Sequence, residues 1–188
     1  MVALEQLWQS VPISRMKTCA PTTVPNSIAL AGQVRAMLAT EPDLGEDPLV
    51  RRAWQAAVTW LDNSTPDSQA CPDGEVVLGQ GDCNLANFLW DGAQIRIVDF
   101  EDSGPSDRAF ELAILVEHIS AWSDASLEAD TFLAQFELTT SERARLRQWR
   151  RLAALFWMIL LRPDGPASCR NPPGTLKLQA SRLLTLLG

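Results

Sequence analysis

The stretch from Leu78 to Asp102 constrains this chain more than any other. It reads LGQGDCNLANFLWDGAQIRIVDFED and sets Asp82, Asn87 and Asp99 at fixed intervals between short strand-like runs. Those runs are Glu75 to Leu78, Phe88 to Trp90 and Ile95 to Val98, and the Asp91-Gly92 pair between the last two is a strong hairpin signal. No other part of the chain is β-rich. A β element this small cannot enclose a core by itself, so the fold has to be built from helices around it.

Helical periodicity is present on both sides. Residues 3 to 9 read as a short helix stopped at Pro12, and Leu30, Val34, Met37 and Leu38 recur at the spacing of an amphipathic helix. Asp47-Pro48 opens another, a capping residue followed by proline at the first helical position, with Val50, Trp54, Ala57, Val58 and Leu61 on its apolar face. After Asp107 the pattern is helical again through Ala109, Leu112, Ala113, Val116 and Ile119, and a weaker helix covers about Ser126 to Phe136. Thr139 and Glu142 are spaced as a capping box ahead of a long helix whose face includes Leu146, Trp149, Phe156 and Trp157. A last helix carries Leu176, Leu183 and Leu187. Ser14 to Pro25, residues 62–74 and Pro163 to Gly174 read as loops. The expected fold class is α+β, mainly α-helical, in a single domain over residues 1–188.

Composition narrows the function classes. A net charge of −7 and a pI near 4.7 oppose binding to a phosphate backbone, and the run from Arg143 to Arg151 reads as the solvated face of a helix. Cys19, Cys71, Cys83 and Cys169 show no C-x-x-C spacing and accompany one histidine, which argues against a zinc site and for reduced thiols. Cys83 reads as a small packed side chain. With no basic leader before Glu5, and with Leu152 to Leu161 too short to cross a bilayer, the expected location is the cytoplasm, with no membrane partner. His118, the sole histidine, has no nucleophile-elbow serine to serve and reads as a surface or boundary residue. The seven tryptophans read mostly as core, with one or two left to line a cleft.

Carboxylates and an amide oxygen are hard ligands suited to magnesium, which binds one or two carboxylates and leaves its other positions to water and phosphates. Phosphoryl transfer needs that metal and a carboxylate that orients or deprotonates the attacking hydroxyl. Asp82, Asn87 and Asp99 supply such a set.

The surrounding residues carry a resemblance. Gly81-Asp82, then Asn87, then Asp99-Phe100-Glu101, then Asp107-Arg108-Ala109-Phe110-Glu111-Leu112-Ala113 follow a known pattern: His-Gly-Asp-x-x-x-x-Asn, Asp-Phe/Trp-Glu and Asp-x-Ala-x-Asp/Glu-Leu-Ala. The chain from Gly81 to Ala113 thus resembles the aminoglycoside phosphotransferase and choline kinase-like family, whose fold is protein-kinase-like. The resemblance implies Asp82 as catalytic base, Asn87 and Asp99 as magnesium ligands that present ATP, and Asp107 as an aspartate that helps hold the site. Glu101 and Asp107 read by themselves as scaffold, Asp107 at an expected helix N-cap. Gln80 stands where the family has histidine, a role glutamine can take over by hydrogen bonding.

The residues before Asp82 contain one lysine, Lys17, no clustered glycine loop and no alternating strands. The resemblance is therefore to the family's C-terminal lobe only, and the nucleotide-covering lobe is expected to be absent. The implied function is ATP- and magnesium-dependent phosphorylation of a hydroxyl on a small substrate, for which an acidic protein would suit a cation. The alternative is a truncated, inactive remnant or binding module on the same scaffold. An uncovered lobe face would favour self-association or a separate N-terminal lobe as partner.

Overall fold

The computed structural model describes residues 2–12, 15, 26–40, 42–64, 76–124 and 127–188. Lys17, Cys19, Cys71, Glu75, most of the loop from Ser14 to Pro25 and most of the connection 62–74 lie outside the described residues. In chain order the elements are α1 (Val2–Ser10), α2 (Asn26–Leu38), α3 (Pro48–Asp62), β1 (Val76–Gly79), β2 (Phe88–Trp90), β3 (Ile95–Ile97), β4 (Gly104–Asp107), α4 (Arg108–Glu117), α5 (Ala129–Leu133), α6 (Thr140–Leu160) and α7 (Thr175–Leu187). A 3-10 turn, Leu85–Asn87, precedes β2; a π-helical turn, Ser120–Asp124, follows α4; a second 3-10 turn, Ser168–Arg170, follows α6.

Helix α6 is the axis of the core. It packs on α4 and on α7, and α7 in turn packs on α3. Leu112, Leu152, Ala154, Leu155 and Met158 are fully buried where these helices meet, and Phe110 meets Trp149 edge-on at 5.7 Å. Each fully buried aliphatic side chain of this size contributes about 1.5–3 kcal/mol. The start of α6 is fixed by the expected capping box: Glu142 N–H donates to the Thr139 hydroxyl at 3.2 Å, and Thr139 N–H donates to Glu142 Oε2 at 2.8 Å. Asp47 likewise caps α3, accepting from Leu49 N–H at 2.8 Å. Among the described residues, no helix is long and apolar enough to cross a membrane.

The fold is α+β and mainly helical, as the periodicity predicts, but four local expectations are revised. First, beside the expected β2–β3 hairpin there is a second antiparallel pair, because β1 pairs with the unexpected β4 in the register Val76↔Asp107 to Gly79↔Gly104. Strand β4 reads Gly-Pro-Ser-Asp and has no strand propensity; a two-stranded ribbon tolerates its proline because each strand has an open edge. Second, α4 ends at Glu117, because His118 turns to extended backbone (φ −62°, ψ 140°). Third, the helix expected over Ser126 to Phe136 is the shorter α5.

The fourth revision concerns the arginine run. Arg145 is buried against Asp107, Arg150 reaches the buried Glu117 at 2.8 Å, and Arg151 Nε donates to the Leu186 carbonyl at 2.8 Å. Because α6 is sandwiched between α4 and α7, three of these arginines serve internal partners and not solvent.

Candidate active site

Strand β1 delivers the chain into a tight loop whose shape depends on Gly81. Its φ is +87°, and a Cβ there would collide with the backbone carbonyl of Asp102. Only glycine satisfies both the left-handed backbone and the close approach. The next residue, Asp82, is half-buried. Its Oδ1 accepts from Asn84 N–H at 3.2 Å, and its Oδ2 accepts from Asn87 Nδ2 at 3.1 Å. Asn87 Nδ2 also lies 3.3 Å from the Asp82 carbonyl. The 3-10 turn between them is capped by Asn84, whose side-chain oxygen accepts from Ala86 N–H at 3.1 Å.

The hairpin brings the third residue to the same place. Val98 N–H donates to the Asn87 carbonyl at 3.0 Å, so Asp99 follows directly beyond the residue paired with Asn87. Among the described residues Asp99 is the one non-glycine with positive φ, +62°. Aspartate tolerates that region better than most residues, yet it still costs about 1 kcal/mol or more and needs neighbours that fix it. Gln80 is the neighbour: fully buried, it donates Nε2 to the Val98 carbonyl at 3.2 Å and to the Asp99 carbonyl at 2.9 Å. Glutamine thus ties the two loops together. Its Oε1 is buried and meets no hydrogen-bond partner among the described residues.

Glu111 stands in the sequence motif without a role assigned to it, and it organises the loop from behind. This buried carboxylate accepts from Gln80 N–H at 3.0 Å and from the Ser106 hydroxyl at 2.5 Å. Gly79 is the glycine against it; a Cβ there would strike the carboxylate. Burial pushes the Glu111 carboxyl above the ordinary glutamate value of 4.5, against the pull of hydrogen bonds from Ser106, Gln80 and Gly81, and the charge of Asp107 adds to the rise. A raised acid makes the folded state hold its proton longer than the unfolded chain. Its contribution to stability is therefore full below pH 4.5 and is lost as pH rises through the folded value. Subtracting the pH–stability profile of Glu111→Gln from that of the parent, by urea unfolding, is expected to leave a component that declines upward from pH 4.5. A flat difference would contradict the assignment.

Asp107 is a scaffold residue. It caps α4 by accepting from Ala109 N–H at 2.9 Å and pairs with Arg145 Nε at 2.7 Å, both side chains buried. Glu101 is exposed in the turn after Asp99. Cys83 is packed under the loop, with burial, then the charges of Glu111 and Asp82, pushing its thiol well above the ordinary value of 9.0. It is therefore held as a neutral thiol, a packing residue.

Asp82 lies at one wall of a groove of about 460 Å³ formed by the loop, α2, α4 and α6. Leu30, Gln33, Asp102, Phe110, His118, Phe156 and Trp157 line the rest. Ser120 N–H donates to His118 Nδ1 at 3.1 Å, and the ring meets Trp157 edge-on at 4.7 Å. Trp157 is thus a cleft tryptophan, while Trp149 is core.

The donor set suits magnesium. Among the described residues the Asp99 carboxylate and the Asn87 side-chain oxygen accept no hydrogen bond from the protein, and no group of three histidine, cysteine or acidic side chains gathers into a metal cage. One carboxylate and one amide oxygen, with the other positions left to phosphates and water, is the arrangement magnesium takes beside a nucleotide. Asp99 and Asn87 would hold it, close to but distinct from Asp82.

Comparison with known proteins bears on the family and the fold. No curated protein matches the chain. A solved structure, a choline/ethanolamine kinase family protein from Mesorhizobium loti, is similar in fold, with a TM-score of 0.51 at 18% identity over 85% of this chain and 53% of that one. The chain spans about half the length of that protein. A family model described as APH, the phosphotransferase enzyme family, matches residues 15–154, a span that takes in the Asp82 loop, the Asp99 hairpin and the Asp107–Arg145 pair. A sequence match over most of the chain, with the Asp82 loop near its centre, makes this chain a member of the phosphotransferase enzyme family.

Proposed function

We propose that residues 1–188 are a kinase-like C-terminal lobe, the catalytic and acceptor-binding half of an ATP-dependent small-molecule phosphotransferase. The observation that carries this reading is the placement of Asp82: its carboxylate opens into the groove and is at the same time bonded to Asn87, which the hairpin joins to Asp99.

Asp82 acts on the acceptor hydroxyl. Two of its lone pairs are committed to Asn84 and Asn87, which fixes the carboxylate, and the others remain for the incoming O–H. As the acceptor oxygen bonds to the γ-phosphorus of ATP and the bond to the ADP oxygen breaks, the hydroxyl proton passes to Asp82. Magnesium, when bound, neutralises the phosphate oxygens. Asn87 and Asp99 hold that cation and so orient the phosphates toward the groove, and Gln80 keeps Asp99 in its strained backbone. Phe110, Phe156 and Trp157 exclude water from the reacting end.

Calorimetry with magnesium is expected to give weak binding that Asp99→Ala abolishes; equal binding in the variant would remove Asp99 from the site. Phosphotransfer from ATP by the isolated lobe is expected near background, since the strands that would cover ATP are not among its described residues. Fusing or adding a nucleotide-covering lobe is expected to give turnover that Asp82→Asn reduces by about a thousandfold. A second reading, a binding module without turnover, is favoured by the hairpin surface: Leu89, Trp90, Ile95, Val98 and Phe100 are all exposed. Turnover by the isolated chain that disappears in Asp82→Asn would exclude it.

A further inference from the structure

The 3-10 turn that carries Asn87 has three backbone N–H groups, and two are satisfied within the loop: Ala86 N–H by the Asn84 side-chain oxygen at 3.1 Å, and Asn87 N–H by the Asn84 carbonyl at 2.9 Å. The third finds its partner far away in the chain. Leu85 N–H donates to Ser120 Oγ at 2.9 Å, across 35 residues. Ser120 belongs to the π-helical turn after α4, which packs on the 3-10 turn. That π-helical turn is held on both sides, Ala121 N–H donating to the His118 carbonyl at 3.0 Å and Leu127 N–H to the Ala121 carbonyl at 2.7 Å.

The Ser120 hydroxyl serves two partners. Its oxygen also lies 2.7 Å from His118 Nδ1, and Ser120 N–H donates to that same nitrogen at 3.1 Å. An amide N–H needs a lone pair to receive it, so Nδ1 is unprotonated and the neutral ring carries its proton on Nε2. The short contact is therefore Ser120 O–H donating to Nδ1, while the same oxygen accepts from Leu85. His118 lines the Asp82 groove beside Trp157. A single hydroxyl thus joins a wall of the groove to the turn between Asp82 and Asn87, and Asn87 Nδ2 continues the chain of bonds to Asp82 Oδ2 at 3.1 Å. Hydrogen bonds in series polarise one another, so a change at one end is felt at the other.

We propose that Ser120 is a positioning residue for Asn87, and that through it the His118 wall of the acceptor groove is coupled to the cation-holding turn. The cation end of this inference rests on the phosphotransferase reading, in which Asn87 and Asp99 hold magnesium; the hydrogen-bond chain does not. Coupling of this kind is reciprocal: a cation that fixes Asn87 also fixes His118, and an acceptor that orders His118 favours the cation by the same factor. The arrangement also denies neutral His118 the part of a base, since its one lone pair is already taken, and leaves the acceptor proton to Asp82.

The test uses the full chain labelled at the ring nitrogens of histidine, in which His118 is the one residue seen by NMR. Magnesium chloride is titrated at about pH 8, where an ordinary imidazole is neutral, into the parent, Ser120→Ala and Ser120→Thr, with affinities taken from calorimetry. In the parent, Nδ1 is expected to be unprotonated and to shift as magnesium binds. Ser120→Ala is expected to bind magnesium about fivefold more weakly, the effect of one lost hydrogen bond, and to leave Nδ1 unmoved at saturation. Threonine keeps the hydroxyl and is expected to restore both. A serine with only a structural role would change stability and leave the His118 response to magnesium intact. A protonated Nδ1, parental affinity in Ser120→Ala, a His118 response that survives in Ser120→Ala, or no response in a parent that binds magnesium would each overturn the proposal and leave the cation assignment standing. A parent that binds no magnesium would overturn both, and only that outcome removes Asn87 and Asp99 as cation ligands.

Discussion

Arg145→Met is expected to lower the unfolding free energy by about 3–5 kcal/mol, because it leaves the Asp107 carboxylate buried with no cation. Arg145 Nε lies 2.7 Å from Asp107 Oδ2, with side-chain exposures of 4% and 2%. Neither water nor a surface residue can replace the lost charge at that depth. Urea denaturation followed by circular dichroism checks it, and the double variant Asp107→Asn/Arg145→Met is expected to recover much of the loss. Asparagine keeps an acceptor for Ala109 N–H, so the cap of α4 survives while the charge is gone. A single variant as stable as the parent would show that the pair does not hold α4 to α6. Since α4 also carries Glu111, its loosening is expected to reach the Asp82 loop.

Gly81→Ala is the second large effect, expected at about 2–5 kcal/mol from a left-handed backbone and an overpacked contact together. The new methyl would be driven into the Asp102 carbonyl, and no side chain can move to relieve a clash with backbone. The loop, the turn after Asp99, or both must shift. Asp82 is the next residue, so the same variant is expected to abolish acceptor binding at concentrations where it is still folded. An alanine variant with parental stability and binding would mean that the loop does not need this conformation.

The parts of the site that were legible in the sequence are those whose geometry is local. Asp82 and Asn87 are joined across one 3-10 turn, and Asp99 is brought back by a hairpin that Asp91-Gly92 announces. Spacing alone therefore places these three side chains near one another. The helices are legible for the same reason: a 3.6-residue period and caps such as Thr139 with Glu142 act within a few residues.

What holds the site still was not legible. Glu111 reaches back 31 residues to Gln80, and Arg145 reaches back 38 to Asp107. Strand β4 carries no strand signal and exists because β1 is there to pair with it. A charged residue on the buried face of α4, at the Asp/Glu position of the motif, signals that Glu111 would need partners, and it does not say which. Likewise Arg143 to Arg151 reads as one basic surface until the packing of α6 between α4 and α7 assigns Arg145, Arg150 and Arg151 to internal acceptors.

The sequence by itself determined the fold class, which follows from short-range periodicity and turn chemistry, and the family, which the motif from Gly81 to Ala113 carries. Tertiary structure alone decided what surrounds the Asp82 loop: the buried Glu111 carboxylate behind it, the Asp107–Arg145 pair that fixes α4, and the groove that His118 and Trp157 line with Asp82. Those features depend on which helices touch, and contact between residues far apart in the chain leaves no periodic trace in it.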